Sequence, residues 1–269
     1  MTSVYASLAL NVAVIGACYW VYRRCATERL RAQDSERQLA GELLIAGRQL
    51  DALAYALAQE LRVPLRSVEG FAQILESKYA SQLDREGFRM LARVRSGAAK
   101  AEQLMDDLLR LTEAGRRTLM PEHVDMTTLA QEAAAEFIEE YPRSIVDIRT
   151  MPEAWGDPSL LKGVWSQLIG NALKFSANAT APRIQVGARE HRGMIEYWVR
   201  DNGVGFDSAQ RGKVFGVFQR LHRAEDYPGS GIGLAIVQLV VTRHGGTMEA
   251  QGAPGEGAEI AFRLPARPS

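Results

Sequence analysis

D-N-G-V-G-F, Asp201 to Phe206, decides how the second half of this chain is read. It follows directly on M-I-E-Y-W-V-R, Met194 to Arg200, which alternates like a strand. An earlier strand-like run, R-I-Q-V-G-A-R-E from Arg183 to Glu190, is joined to it by a short turn at His191 to Gly193. A carboxylate at a strand end followed by two glycines can hold the amino group of a ring while the backbone passes close to its flat face. Alone, D-N-G is also an ordinary turn. Its neighbours must decide between the two.

Upstream, V-W-S-Q-L-I-G-N-A-L-K-F-S, Val164 to Ser176, reads as a helix that puts Gln167, Asn171 and Lys174 on one face at spacings of four and three. Amide oxygens and an ammonium on one face suit a magnesium ion and the phosphates it binds, although such faces are commonly just solvated. Downstream, G-S-G-I-G-L-A-I-V, Gly229 to Val237, opens a helix that runs to about His244. Its glycines let main-chain N–H groups approach phosphate oxygens at a helix N-terminus. Between these pieces lies Asp207 to Pro228, charged and containing Phe215, Phe218 and Arg220, with the character of a mobile lid. A further helix is expected from Met126 to Glu140.

The first half is helical. Leu50, Leu53, Leu57, Leu61, Pro64, Val68, Phe71 and Leu75 recur in steps of three and four, and after a break near Tyr79 to Leu83 a second set runs from Leu91 to Thr112. The two runs predict an antiparallel hairpin. A two-helix hairpin cannot bury both stripes, so two hairpins from two chains should form a four-helix bundle, and a homodimer is expected. Pro64 should kink the first helix one turn after Gln59. Gln59 sits roughly 200° from both Leu57 and Leu61 at 100° per residue, which points it away from the seam and outward.

Val4 to Tyr22 carries no charge, and as a helix spans ~28 Å, about one hydrocarbon core. Tyr19, Trp20 and Tyr22 followed by Arg23 and Arg24 form an aromatic belt and a positive-inside flank, so a single membrane pass with a cytoplasmic C-terminal bulk is expected. Ile15 to Cys18 looks a little like a lipoprotein cleavage box, but no basic stretch precedes it and the basic pair lies on the wrong side for a cleaved signal. The two cysteines, Cys18 and Cys25, are too few and too close for a disulfide framework or a zinc site. The 269 residues leave room for about two small domains, and 32 basic against 32 acidic side chains give no global field that would favour nucleic acid as a partner.

Taken in order, the Asn-containing helix, D-N-G-V-G-F, K-V-F-G-V-F-Q-R, G-S-G-I-G-L-A-I-V, H-G-G-T-M-E-A and G-E-G-A closely resemble the N, G1, F, G2 and following boxes of the histidine kinase ATP-binding domain. That domain belongs to the group that includes DNA gyrase, MutL-type mismatch-repair proteins and a heat-shock chaperone family. Residues 34–114 similarly resemble the dimerisation and phosphoacceptor hairpin of two-component sensor histidine kinases. The resemblance implies three parts: a transmembrane anchor at 1–24, a signalling helix and hairpin at 25–118 forming a dimeric four-helix bundle, and an ATP-binding α/β sandwich of the histidine kinase and gyrase type at 119–269. ATP and Mg²⁺ are the implied cofactors. Carried over by position, Asn171 would ligate Mg²⁺, Lys174 would touch phosphate, and Asp201 would bind the adenine amino group, with Gly203 and Gly205 shaping that wall of the pocket. Arg220 would steady the terminal phosphate. Gly229, Gly231 and Gly233 would frame the lid hinge and phosphates, with Phe175 and Leu234 in the same lining. Gln167 stands where the family usually has Asn, retains an amide, and is expected to be a weaker metal ligand.

One position departs sharply. A-Q-E-L-R-V-P-L, Ala58 to Leu65, matches a box that in the family reads approximately S-H-E-L-R-T-P-L, with Gln59 at the acceptor histidine and Glu60 at the neighbouring acid. Imidazole attacks the γ-phosphate with a nucleophilic nitrogen. A carboxamide nitrogen has its lone pair delocalised into the carbonyl, so autophosphorylation at Gln59 is not expected. Val63 replaces a Thr that orients water in some members. His123, His191, His222 and His244 all lie off the first hairpin helix and read as surface or structural residues. Three functions fit: a divergent kinase-like regulator docking a response regulator receiver domain or another histidine kinase, a kinase acting in trans on a partner's histidine, or a nucleotide-binding scaffold. The expected location is the inner, cytoplasmic membrane of a bacterium.

Overall fold

The computed structural model describes residues 52–191, 193–223, 226–227 and 229–266, with positions 20, 23–24, 38, 41–42, 45–47 and 49 before them. The expected membrane segment lies, apart from Trp20, outside the described residues. Among the described residues no helix is long and apolar enough to cross a membrane.

Helix α1, described over 52–78, runs unbroken through Pro64, then a short 3-10 turn at Ala80–Gln82 leads into α2, Arg85–Arg116. Arg66 Nε meets Glu102 at 3.2 Å, and Arg62 pairs with Asp106 one turn on. The helices are therefore antiparallel, with Gln59 level with Leu109. Their contact buries small residues, Ala58 and Ala72 on α1 and Ala98 on α2. Leu53, Leu57, Leu61, Val68, Phe71 and Leu75 instead stay exposed in the single chain. Gln59 and Glu60 are exposed as well; at 100° per residue Gln59 points away from that stripe, whereas Glu60 flanks it.

Three aspartates start three helices. Asp84 caps α2 through Gly87 N, Asp125 caps α3 (Met126–Ala135) through Thr127 N and Thr128 N, and Asp157 caps α4 (Pro158–Ser176) through Leu160 N, with Pro158 in the first turn. Each cap is worth about 1 kcal/mol. Helix α3 stops at Ala135, short of the expected Glu140, because the chain tightens there. Phe137 N bonds to Ala134 O, three residues back, and the Phe137 ring turns onto the flank of α4 at Gly170.

Strands β1 (Glu122–Val124) and β3 (Ala154–Gly156) form a small antiparallel pair. The main sheet uses β2 (Ile145–Ile148), β4 (Arg183–His191), β5 (Met194–Asp201), β6 (Thr247–Ala253) and β7 (Gly257–Pro265) in the order β2-β4-β5-β7-β6. It is mixed, since only β2 and β4 are parallel. Helices α3, α4 and α5 (Gly233–Arg243) cover one face. Period-two alternation sends Ile184, Val186, Tyr197, Val199, Phe262 and Leu264 into that core, where Trp165 of α4 meets Phe262 edge-on at 5.3 Å. The result is the expected α/β sandwich, with helices packed on one face of a mixed sheet.

Among the described residues the other face carries no helical layer and closes itself with charge. The buried Glu196 carboxylate accepts from Arg189 Nε and Arg263 Nε, both at 2.5 Å, and Glu259 accepts from Arg189 at 2.8 Å and from Arg200. Trp198 lies flat over Gly187 between the guanidinium groups of Arg149 and Arg200.

Candidate functional site

The C-terminal end of β5 and the C-terminal end of α4 meet. Val204 N donates to Phe175 O at 3.2 Å, and Gly203 packs so closely there that a β-carbon would fall 2.3 Å from the same carbonyl. Gly205, at φ +59°, would place one 1.9 Å from Ala253 O in the β6–β7 hairpin. This β5 loop is glycine-rich because it is wedged between an α4 end and a hairpin. Asp201 is thereby set with its carboxylate accepting from Gly203 N at 2.8 Å, and burial pushes its pKa up to about 6 against the pull of Gly203 and Ala258 N–H groups.

Beside it opens a cavity of about 380 Å³, within the range of small-molecule sites. Asp201, Gly205, Phe206 and Ile260 line one part, and Gln167, Asn171, Lys174 and Phe175 of α4 line another. Arg220, Gly229, Gly231, Gly233 and Leu234 come from the lid and the start of α5. Every site residue expected from the catalytic half is in this lining except Gly203. Its role is to let the β5 loop rest on α4, so it acts on the site only through Asp201.

The cations differ in how they are held. Lys174 Nζ bonds Asn171 Oδ1 at 3.2 Å and sits 4.5 Å from the centre of the Phe175 ring. Burial, helped by the Arg220 charge, draws its pKa down, and among the described residues no carboxylate pairs with it. Arg220 donates to Gly229 O at 2.8 Å and to Tyr227 O at 2.6 Å, so it also ties the second half of the lid to its C-terminal end. Two converging cations without an acid form an anion site, and polyphosphate is the chemistry that satisfies both. Gln167 and Asn171 offer neutral oxygens of the hardness Mg²⁺ takes, and their place on one helix face beside Lys174 fits a cation shared with phosphate. The carboxamide of Gln167 lies against Gly233, whose absent side chain leaves it room.

Sequence reasoning missed part of the lining. His222 and Tyr227 of the lid pack at a tilt against Phe175, centroids 5.4 and 5.2 Å away, so His222 belongs to the site. His244 is structural as expected: its Nε2 accepts from Asp157 N at 3.0 Å. His123 packs edge-on against Trp155 at 5.0 Å. The hairpin also enters the cavity, through Gln103, Asp107 and Arg110 of α2. At the other end of the question, Gln59 stays outside, its Nε2 making a long 3.4 Å contact with Tyr55 OH.

Comparison with known proteins places both halves. Residues 156–268 match the histidine kinase-, DNA gyrase B- and HSP90-like ATPase family, and residues 49–116 match the His Kinase A phospho-acceptor domain. The chain is 29% identical over 238 residues to cyanobacterial phytochrome A of Nostoc sp., covering 88% of this chain and 31% of that one. It is 28% identical to the methanogenesis regulatory histidine kinase FilI of Methanothrix harundinacea, covering 93% of this chain and 28% of that one. The chain thus spans about a third of the length of these curated relatives. Among solved structures, full-length ShkA in complex with AMPPNP superposes with a TM-score of 0.58 at 25% identity, covering 79% of this chain and 45% of that one.

Proposed function

Because the chain belongs to the two-component sensor histidine kinase family, we propose that it is a signalling protein that binds ATP with Mg²⁺ but carries no phosphoacceptor of its own. The observation that carries this reading is a furnished cavity, with Asp201 at one part and Lys174 and Arg220, neither in an ion pair with a carboxylate among the described residues, at another, in a chain whose hairpin presents an exposed amide at position 59. ATP then acts as a conformational ligand, shifting the balance between arrangements of hairpin and catalytic domain only by its differential affinity for them. Asn171, with Gln167 as the weaker partner, would hold the metal, which shields the triphosphate charge.

The apolar stripe left exposed on α1 supports a homodimer, and the open side around Gln59 is the surface offered to a response regulator receiver domain or to another histidine kinase. The uncharged run from Val4 to Tyr22 with Arg23 and Arg24 behind it supports a single-pass anchor in the inner membrane of a bacterium. A second reading, transfer to a partner's histidine in trans, draws on the completeness of the ATP cavity and the retained Glu60.

The test is incubation of the full chain with γ-labelled ATP and magnesium beside Gln59→His and Asp201→Asn variants. The proposal expects no label on the natural chain, label on Gln59→His, and loss of nucleotide binding in Asp201→Asn. Acid-labile label on the natural chain would overturn it. Label appearing only on an added partner would select the trans reading.

A further inference from the structure

Two helices present the same pattern to the cavity. On α4 the residues are Gln167, Asn171 and Lys174. On α2 they are Gln103, Asp107 and Arg110, again an amide, an oxygen acceptor and a cation at spacings of four and three. Such spacing puts three side chains on one face, so α2 turns a complete polar face to a cavity that belongs to the other domain.

The position of α2 is fixed by bonds. Arg243 at the end of α5 donates to Ala114 O and, at 2.5 Å, to Arg117 O, occupying carbonyls at the end of α2 that have no partner within the helix. Arg117 in turn bonds Ser159 Oγ at 3.1 Å and lies 3.8 Å from the Asp157 carboxylate. These contacts fasten α2 at the N-terminal end of α4. Asp201 sits at the opposite end, where Gly203 and Val204 meet Phe175. A nucleotide with its base at Asp201 therefore runs its phosphates along Lys174, Asn171 and Gln167, toward the end of α4 where α2 is attached.

We propose that α2 supplies a phosphate subsite: Arg110, exposed and free to reach in with only the Asp107 carboxylate 3.9 Å away, contacts the terminal phosphate, and Gln103 donates from the same face. This rests on the reading of the cavity as an ATP site and goes beyond it. A bound triphosphate bridges the two domains, a diphosphate does not reach α2, and so the hairpin is gripped by ATP and released by ADP. The bridge lies at the level of position 59, since Gln59 is opposite Leu109, the residue before Arg110. The turn of the hairpin that docks a partner is thus the turn that senses the nucleotide.

The test uses the full chain and isothermal titration with a β,γ-imido ATP analogue and with ADP, on the natural protein, Arg110→Ala, Arg110→Lys and Arg93→Ala. Arg93 is exposed on the same helix but lies outside the cavity lining. Arg110→Ala is expected to weaken the triphosphate analogue about tenfold and ADP less than about twofold, the worth of one charge-assisted contact. Arg110→Lys should recover part of the loss, and Arg93→Ala should change neither. Amide exchange across residues 101–110 should slow with the analogue and not with ADP. Equal loss for both nucleotides, no loss, or exchange indifferent to the third phosphate would overturn the subsite while leaving the ATP site standing. Failure of the natural chain to bind either nucleotide would overturn both.

Discussion

Gln167 lies against Gly233 so closely that a β-carbon on Gly233 would come 2.2 Å from Gln167 Nε2. The atoms in the way are the far end of a flexible side chain, so Gly233→Ala should move Gln167 and leave the fold in place. Alanine in the first turn of α5 should even add up to ~1 kcal/mol of stability, because the backbone there needs no left-handed conformation. Displacing the amide oxygen is expected to weaken magnesium-dependent nucleotide binding about tenfold. The shorter Gln167→Asn should restore it in the Gly233→Ala background. A double variant no better than Gly233→Ala would show that Gln167 is not a metal ligand.

Asp201 gives two opposite pH dependences from one group. Its carboxyl, held up to about 6 by burial, keeps its proton more tightly in the folded chain than at its ordinary 3.8 when unfolded. Its contribution to stability is therefore full below about pH 4 and is lost as pH rises through about 6, on the order of 3 kcal/mol in all. Adenine recognition needs the ionised carboxylate as acceptor, so nucleotide affinity should rise over the same interval. Thermal melting of the ligand-free protein and titration with an ATP analogue, each from about pH 4 to pH 8, read the two slopes, and Asp201→Asn should flatten both. A variant that keeps either slope would assign that slope to another group.

How much of this could be read from the sequence depended on whether a residue acts within its own segment. The period-two strands and the single-face triad of α4 are local patterns, and each appears where expected; the capping aspartates act just as locally, but were not read from the sequence. The reason for glycine at 203 was not legible, because the surface it meets is Phe175 O, brought there by tertiary packing. The shorter α3 likewise follows from Phe137 turning onto Gly170, a contact outside the periodicity of the helix itself. Arg110 and Asp107 drew no reading from the sequence, since nothing local says that α2 abuts a cavity built almost a hundred residues later. The repeated four-and-three spacing of amide, acceptor and cation was a usable signal, legible only beside its counterpart on α4.

The exposed stripe on α1 makes the last prediction. Leu61 is 48% exposed and Phe71 68% exposed in the single chain, whereas Ala58 and Ala72, on the side facing α2, are nearly fully buried. Helix α2 is thus packed through small residues, and the large ones are left for another surface. Covering each large side chain is worth about 1.5–3 kcal/mol, so a six-residue stripe repeated by symmetry suffices to hold two hairpins together. Leu61→Asp combined with Phe71→Asp is expected to convert a dimer to a monomer in light scattering at micromolar concentration. Nucleotide affinity should stay unchanged, because neither residue lines the cavity. A dimer that survives both charges would move the interface off this stripe, and a natural chain found monomeric would remove it.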